Sequence, residues 1–189
     1  MINWHLSIVT PPAIEPVTLD QALSHCSANS GIQDDDFRDW IRAAREEAER
    51  FQRRAFIEQT LQLSFDNYPV FPIFLPRPPV TEVTSVKMYD VEDTETVVSV
   101  SDFLIDYNTS PARMVFAYGN EWPDVSLREL NSIQIQYTAG YGDTTDDIPR
   151  YVKKAILFYV GYMYENRAAE VEKVPKQFYH ILSSQRMYQ

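Results

Sequence analysis

SIQIQYTAGYGDTTDDIPRYVKKAILFYV, Ser132–Val160, holds the change of period that decides the fold. Ile133, Ile135 and Tyr137 alternate with Gln134, Gln136 and Thr138, a period of two that makes a half-buried strand. Past Asp147 the apolar residues Val152, Ala155, Ile156, Tyr159, Val160 and Met163 recur at steps of three and four, the period of a helix with one inward face. Between the two lie Gly140 and Gly142, which let the chain turn because glycine adopts positive φ without steric cost. Asp146 or Asp147 is expected to cap the helix, and Pro149 to occupy its first turn, giving a helix from Pro149 to about Arg167. Gly140 and Gly142 are therefore candidate junction or hinge residues.

Working backward from this strand, the alternation of Leu61, Leu63 and Phe65 opens a block of predicted strands after Thr60. Further strands are expected at Val70–Leu75, Val83–Tyr89, Thr96–Val100, Phe103–Tyr107 and Ala112–Tyr118, separated by proline- and glycine-bearing turns. Such short, evenly spaced strands suit an antiparallel sheet folded into a sandwich or barrel. Nearer the start, Thr18 followed by Gln21 has the pattern of a capping box, so a short helix is expected over Val17–Cys26. A loop with Gly31 at a helix end follows, and Asp34, Asp35 and Asp36 favour the positive end of the next helix. From Phe37 to Ala55 the apolar set Phe37, Trp40, Ile41, Ala44, Ala48, Phe51 and Ala55 marks one inward face. The other face holds Arg38, Arg42, Arg45, Glu46, Glu49, Arg50 and Arg53, where Arg42 with Glu46, or Glu46 with Arg50, could form surface ion pairs. A last helix is expected near Pro175, with Phe178, Ile181 and Leu182 turned inward.

The order is helices, strands, helices. This predicts an α+β protein in which residues 1–59 and 143–189 supply a helical base of about four helices and residues 60–142 form an inserted antiparallel β lobe.

Charge follows the same division. Residues 1–60 carry 6 basic and 10 acidic side chains, residues 61–147 carry 4 and 14, and residues 148–189 carry 7 and 3, within a net charge of −10. The acidic middle disfavours a surface that grips phosphates, which needs lysine and arginine. A soluble nucleic-acid-binding module would have to use the basic end.

TAGYGD differs by one residue from the loop of potassium-channel filters, but those filters need membrane helices around them. A spanning helix takes about 20 mostly apolar residues, whereas Tyr151–Tyr164 is shorter and contains Lys153 and Lys154. No membrane span and no secretory leader are expected, and a single cysteine, Cys26, fits a reducing compartment. His5, His25 and His180 show no zinc-ligand spacing, and no cofactor or metal site is expected. Signatures of serine hydrolases, P-loops, dinucleotide folds and zinc proteases are missing. His25 and Cys26 are neighbours on a helix and point about 100° apart, so they do not make a nucleophile and base, and a hydrolase is disfavoured. The 12 tyrosines, 10 phenylalanines and 3 tryptophans suit a core together with protein contacts better than turnover.

Three stretches, EPVTLDQALSHC (15–26), DDDFRDWIRAAREEAERFQRRAFIEQT (34–60) and YTAGYGDTTDDIPRYVKKAILFYVGYMYENR (137–167), resemble in their order the head-tail connector proteins of tailed bacteriophages and related gene-transfer particles. LPRPPVTEVTSVKMYD (75–90) looks like the version of that family with a β insertion. Cys26-Ser27 departs from it, since many relatives have leucine and arginine there. The resemblance implies a non-enzymatic virion protein, assembled in the host cytoplasm, that forms a homo-oligomeric ring, commonly of twelve subunits. That ring would lie beneath the portal protein, join it to tail or stopper proteins, and surround genomic DNA without reading its sequence. Candidate ring and portal contacts are Arg38, Arg42, Arg45, Arg50 and Arg53 on the long helix, with Lys153, Lys154, Arg167, Lys173 and Lys176 toward the basic end.

Overall fold

A computed structural model of the chain describes residues 4–167 and 174–183. It is an α+β protein with, among the described residues, four α-helices and two antiparallel sheets. The helices are α1 (Leu19–His25), α2 (Asp34–Gln52), α3 (Arg150–Glu165) and α4 (Lys176–Leu182). The strands are β1 (Trp4–Thr10), β2 (Gln59–Phe65), β3 (Ile73–Leu75), β4 (Val80–Tyr89), β5 (Glu95–Val98), β6 (Phe103–Asp106), β7 (Ala112–Phe116) and β8 (Ile133–Ala139). The chain forms two compact units, one of residues 1–12 and 58–140, the other of residues 13–57 and 141–189.

In the strand-bearing unit a five-stranded sheet runs in the order β1-β2-β8-β4-β5, and a three-stranded sheet in the order β3-β7-β6. β8 is central: Leu63 and Val86 both lie opposite Ile135, one on each side. Its alternation places Ile133, Ile135, Tyr137 and Ala139 in the interior, as the period of two requires. Among the described residues neither sheet closes on itself, and β1 and β5 are the edges of the larger one. Two tyrosines tie the sheets to neighbouring segments. The Tyr107 hydroxyl accepts the Val83 N–H at 3.2 Å, and the Tyr137 hydroxyl donates to the Pro76 carbonyl at 2.7 Å. Burial drives the Tyr137 phenol pKa far upward, so it stays a donor. The long segment between β7 and β8 is held by aromatic contacts. Trp122 packs 5.0 Å from Phe116, 5.6 Å from Phe103 and 6.0 Å from Phe71, and the Tyr68 hydroxyl donates to the Pro123 carbonyl at 3.0 Å.

Several boundaries differ from the sequence reading for local physical reasons. β1 was not expected, although Trp4, Leu6 and Ile8 alternate with His5 and Ser7; it pairs with β2 from Trp4↔Phe65 to Thr10↔Thr60. Residues 4–10 therefore belong with the strands, and not with the helices as the expected 1–59 segment had it. Before β3, Val70 is exposed and only Ile73–Leu75 pair. The expected strand ending at Val100 stops at Val98, since Val100–Asp102 winds into a 3-10 turn.

The helical unit is built around one core: Ala22 and Leu23 of α1, Phe37, Ile41, Ala44 and Ala48 of α2, Val152, Ala155, Ile156 and Val160 of α3, and Phe178 and Leu182 of α4. The α1 capping box forms as its residues predict, with the Gln21 N–H donating to Thr18 Oγ1 at 3.2 Å and the Thr18 N–H to Gln21 Oε1 at 3.1 Å. Gly31 does not end α1; the left-handed position after its last turn is Ser27 (φ 52°), and Gly31 (φ 146°) precedes α2. Asp34 lies in the first turn of α2, where it accepts the Gly31 N–H at 2.8 Å and the Ser30 hydroxyl at 2.9 Å. Those two hydrogen bonds hold its carboxyl below the usual range.

Neither Asp146 nor Asp147 caps α3. Pro149 is itself the N-cap, and Asp147 closes a 3-10 turn by accepting the Thr144 hydroxyl at 2.7 Å and the Thr144 N–H at 3.1 Å. Proline fits there because its missing N–H falls among the groups a helix start leaves unpaired.

Candidate interaction surfaces

Arg45, like Glu49, departs from a solvated charged face. It follows Ile41 by four residues and precedes Ala48 by three, so it shares their stripe, and its side chain is 8% exposed. Its guanidinium is enclosed by carboxylates. Nε donates to Glu15 at 2.7 Å, Nη1 to Glu49 at 3.0 Å and Nη2 to Glu46 at 3.4 Å. Burial disfavours its charge, but the hydrogen bond to Glu15 and the surrounding carboxylates outweigh that and raise its pKa. Glu49 is also buried, and its second oxygen accepts the Phe56 N–H at 2.8 Å. The pair thus fixes the loop before α1 through Glu15 and the chain leaving α2 through Phe56.

The same end of α2 holds α4. Gln52 Nε2 donates to the Leu182 carbonyl at 2.6 Å, and the Tyr179 hydroxyl donates to Glu47 at 2.6 Å. Arg50 grips the same Glu47 carboxylate with contacts of 2.6–3.0 Å, and the Tyr179 ring lies 4.7 Å from Phe51. Glu47, Arg50, Phe51, Arg53 and Tyr179 line a cleft of about 380 Å³. Arg53 turns the chain in the left-handed conformation (φ 57°), and its N–H reaches the Glu49 carbonyl.

Of the other basic candidates, Arg38, Arg42, Lys153 and Arg167 have partners of their own. Arg38 pairs with Asp35 at 2.9 Å in the first turn of α2, and Arg42 approaches Glu15 at 4.0 Å. Arg167 stands over the Tyr164 ring at 4.9 Å and reaches Gln33, beside the start of α2, at 3.4 Å. Lys153 is mostly covered, 3.9 Å from Asp146. Lys154 and Lys176 are exposed, and Lys173 lies outside the described residues. The expected ion pairs of Glu46 with Arg42 and Arg50 do not form; Glu46 turns to Arg45 and Arg50 to Glu47. The signal that identifies Arg45 and Glu49 as interior was the three-and-four spacing itself, which extends the apolar stripe through Ile41, Arg45, Ala48, Glu49 and Gln52.

The two glycines at the end of β8 serve different needs. Gly140 has φ 144°, which favours glycine, and its N–H donates to the Pro79 carbonyl at 2.9 Å. Gly142 is required for space, since a Cβ there would run into the Asp147 carboxylate. Next to them, the Tyr141 N–H donates to the Phe56 carbonyl at 2.8 Å, and Ile57 bridges Gly142.

Among the described residues, no group of three or more histidine, cysteine, aspartate and glutamate side chains could hold a metal ion, and no helix is long and apolar enough to cross a membrane. A second cleft, of about 410 Å³, lies on the three-stranded sheet beside Pro72, Leu104, Asp106, Arg113 and Val115. There Arg113 pairs with Asp106 at 3.1 Å, which leaves both charges satisfied.

No protein-family model matches the sequence, and no curated protein matches it. The fold does match solved structures. A chain of the neck of an empty gene transfer agent particle, computed with C6 symmetry, superposes with a TM-score of 0.79 over 98% of this chain and 96% of its own length, at 20% identity. A chain of the native gene transfer agent virion gives 0.78 over 97% and 96%, also at 20% identity. A chain of the native neck computed with C12 symmetry gives 0.73 over 98% and 96%, again at 20% identity. The fold of this protein is thus one used in the neck of gene transfer agent particles.

Proposed function

We propose that this protein is a non-enzymatic structural component of a phage-like or gene-transfer particle, a head-tail connector that forms a ring under the portal and joins the DNA-filled head to the tail. The observation that carries this reading is the extent of the fold match: 98% of the chain against a neck chain, strands and helices together, at a TM-score of 0.79. Neighbours solved with C6 and C12 symmetry support a ring of copies. A closed ring requires a heterologous contact, one surface of a subunit meeting a different surface of the next.

In this reading the helical unit serves as the base, the strand-bearing unit as an inserted lobe, and Gly140 and Gly142 as the junction. Arg38, Arg42, Arg50, Arg53, Lys154, Arg167 and Lys176 are the basic side chains offered to neighbouring copies, portal or tail. Arg45 is spent internally. DNA passes through the ring without base-specific contact, in keeping with 14 acidic against 4 basic side chains over residues 61–147.

The test is electron microscopy of particles made with and without this chain. Its removal is expected to leave heads without attached tails, and labelled protein is expected at the neck. Particles that lack it yet keep tails and packaged DNA overturn the proposal.

A further inference from the structure

The two edges of the five-stranded sheet are unlike. β5 is four residues long, and Glu95 on it is paired with Lys87 at 3.0 Å and accepts the Tyr89 hydroxyl at 2.9 Å. Short length and charge are the usual devices that keep a sheet edge from pairing with another chain. β1 has neither. It runs for seven residues, WHLSIVT, without an acidic residue, lysine, arginine or proline, and among the described residues it pairs with β2 alone. Among the described residues nothing else pairs with its outer row of backbone N–H and C=O groups.

Its side chains are open as well. Trp4, Leu6 and Ile8 stand opposite Phe65, Leu63 and Leu61, which are buried, so they continue the interior row of the sheet. Yet Trp4 is 56% and Ile8 49% exposed. The apolar row therefore runs out into solvent at this edge. What would cover it is one more strand with apolar residues at alternate positions.

We infer that the occupant is β1 of a second copy, paired antiparallel about a two-fold axis through Leu6. The register makes the strand complementary to itself: Leu6 faces Leu6, Trp4 faces Ile8 and Ile8 faces Trp4, all on the interior side, while His5 faces Ser7 on the other. Such reciprocity is what an isologous contact demands. Charge selects the same place. A chain of net charge −10 repels its copy, and β1 is a stretch where two copies meet without opposing like charges. The irregularity between Ile8 and Thr10 limits the paired length. A contact confined to one seven-residue strand is short, so the dimer is a weak one that dissociates on dilution. This two-fold contact is distinct from the head-to-tail contact of a ring, and the connector reading stands or falls without it.

Sedimentation of the full chain over a range of micromolar concentrations, with cross-linking, tests it. The wild type is expected to shift from once to twice the chain mass as concentration rises, and Leu6→Lys to remain at once that mass with an unchanged circular dichroism spectrum. In a Cys26→Ser background, Leu6→Cys is expected to give a covalent dimer with a short bifunctional maleimide, and Val97→Cys on the opposite edge is not. A wild type that stays monomeric, a dimer untouched by Leu6→Lys, or equal cross-linking through Val97→Cys overturns the inference. If Leu6→Lys does not fold, the two cysteine variants decide.

Discussion

A buried arginine among three carboxylates is costly to assemble and more costly to break. Removing one member of a buried ion pair leaves an uncompensated charge, typically at about 3–5 kcal/mol. Glu49 has two duties, pairing with Arg45 at 3.0 Å and accepting the Phe56 N–H at 2.8 Å. Glu49→Ala removes both and is expected to lower unfolding stability by about that amount. Glu49→Gln keeps an acceptor for Phe56 and is expected to cost less. Urea unfolding of the two variants checks the order, and equal losses would show that the Phe56 contact contributes nothing. Residue type assigns Arg45 and Glu49 to a charged outer face, whereas on a helix position decides which way a side chain points.

At the scale of elements, the link between α4 and the end of α2 is the one that pH can probe. Burial, then the hydrogen bond to the Glu47 carboxylate, push the Tyr179 phenol from its ordinary 10.0 up to about 12. A folded-state pKa above the unfolded one means that the protonated phenol favours the fold. Its contribution is complete below pH 10 and is lost as pH rises through about 12. Between those values the wild type is expected to lose stability more steeply than Tyr179→Phe, measured as melting temperature against pH. Parallel curves would remove Tyr179 from the linkage. The α4 helix was legible from Pro175 and the spacing of Phe178, Ile181 and Leu182. Its partners were not, because Gln52 and Leu182 lie 130 residues apart in the chain, and no local pattern records such a contact.

At the scale of the molecule, the helical unit is discontinuous in sequence. Phe37, Ile41 and Ala44 share one core with Val152, Ile156 and Val160, so residues 13–57 and 141–189 should hold together without an intact link between them. Glu58 is exposed at the boundary. Cleavage at a protease site introduced after Glu58 is expected to leave the fragments associated on native size exclusion, through this core and the β1–β2 pairing, and to separate them in denaturant. Fragments that part under native conditions would show that the shared core does not suffice.

By itself the sequence determined the α+β class, the order of the elements from α1 onward, the Thr18–Gln21 cap and the alternation of β8, because each depends on residues near one another in the chain. Periodicity and capping are local. Only the tertiary structure decided that β1 joins β2, that neither sheet closes on itself among the described residues, and that the inward Arg45 meets Glu15, 30 residues away in the chain. Those outcomes depend on which distant segments come to share a strand edge or a buried charge, and neither of these is written in a local run of residues.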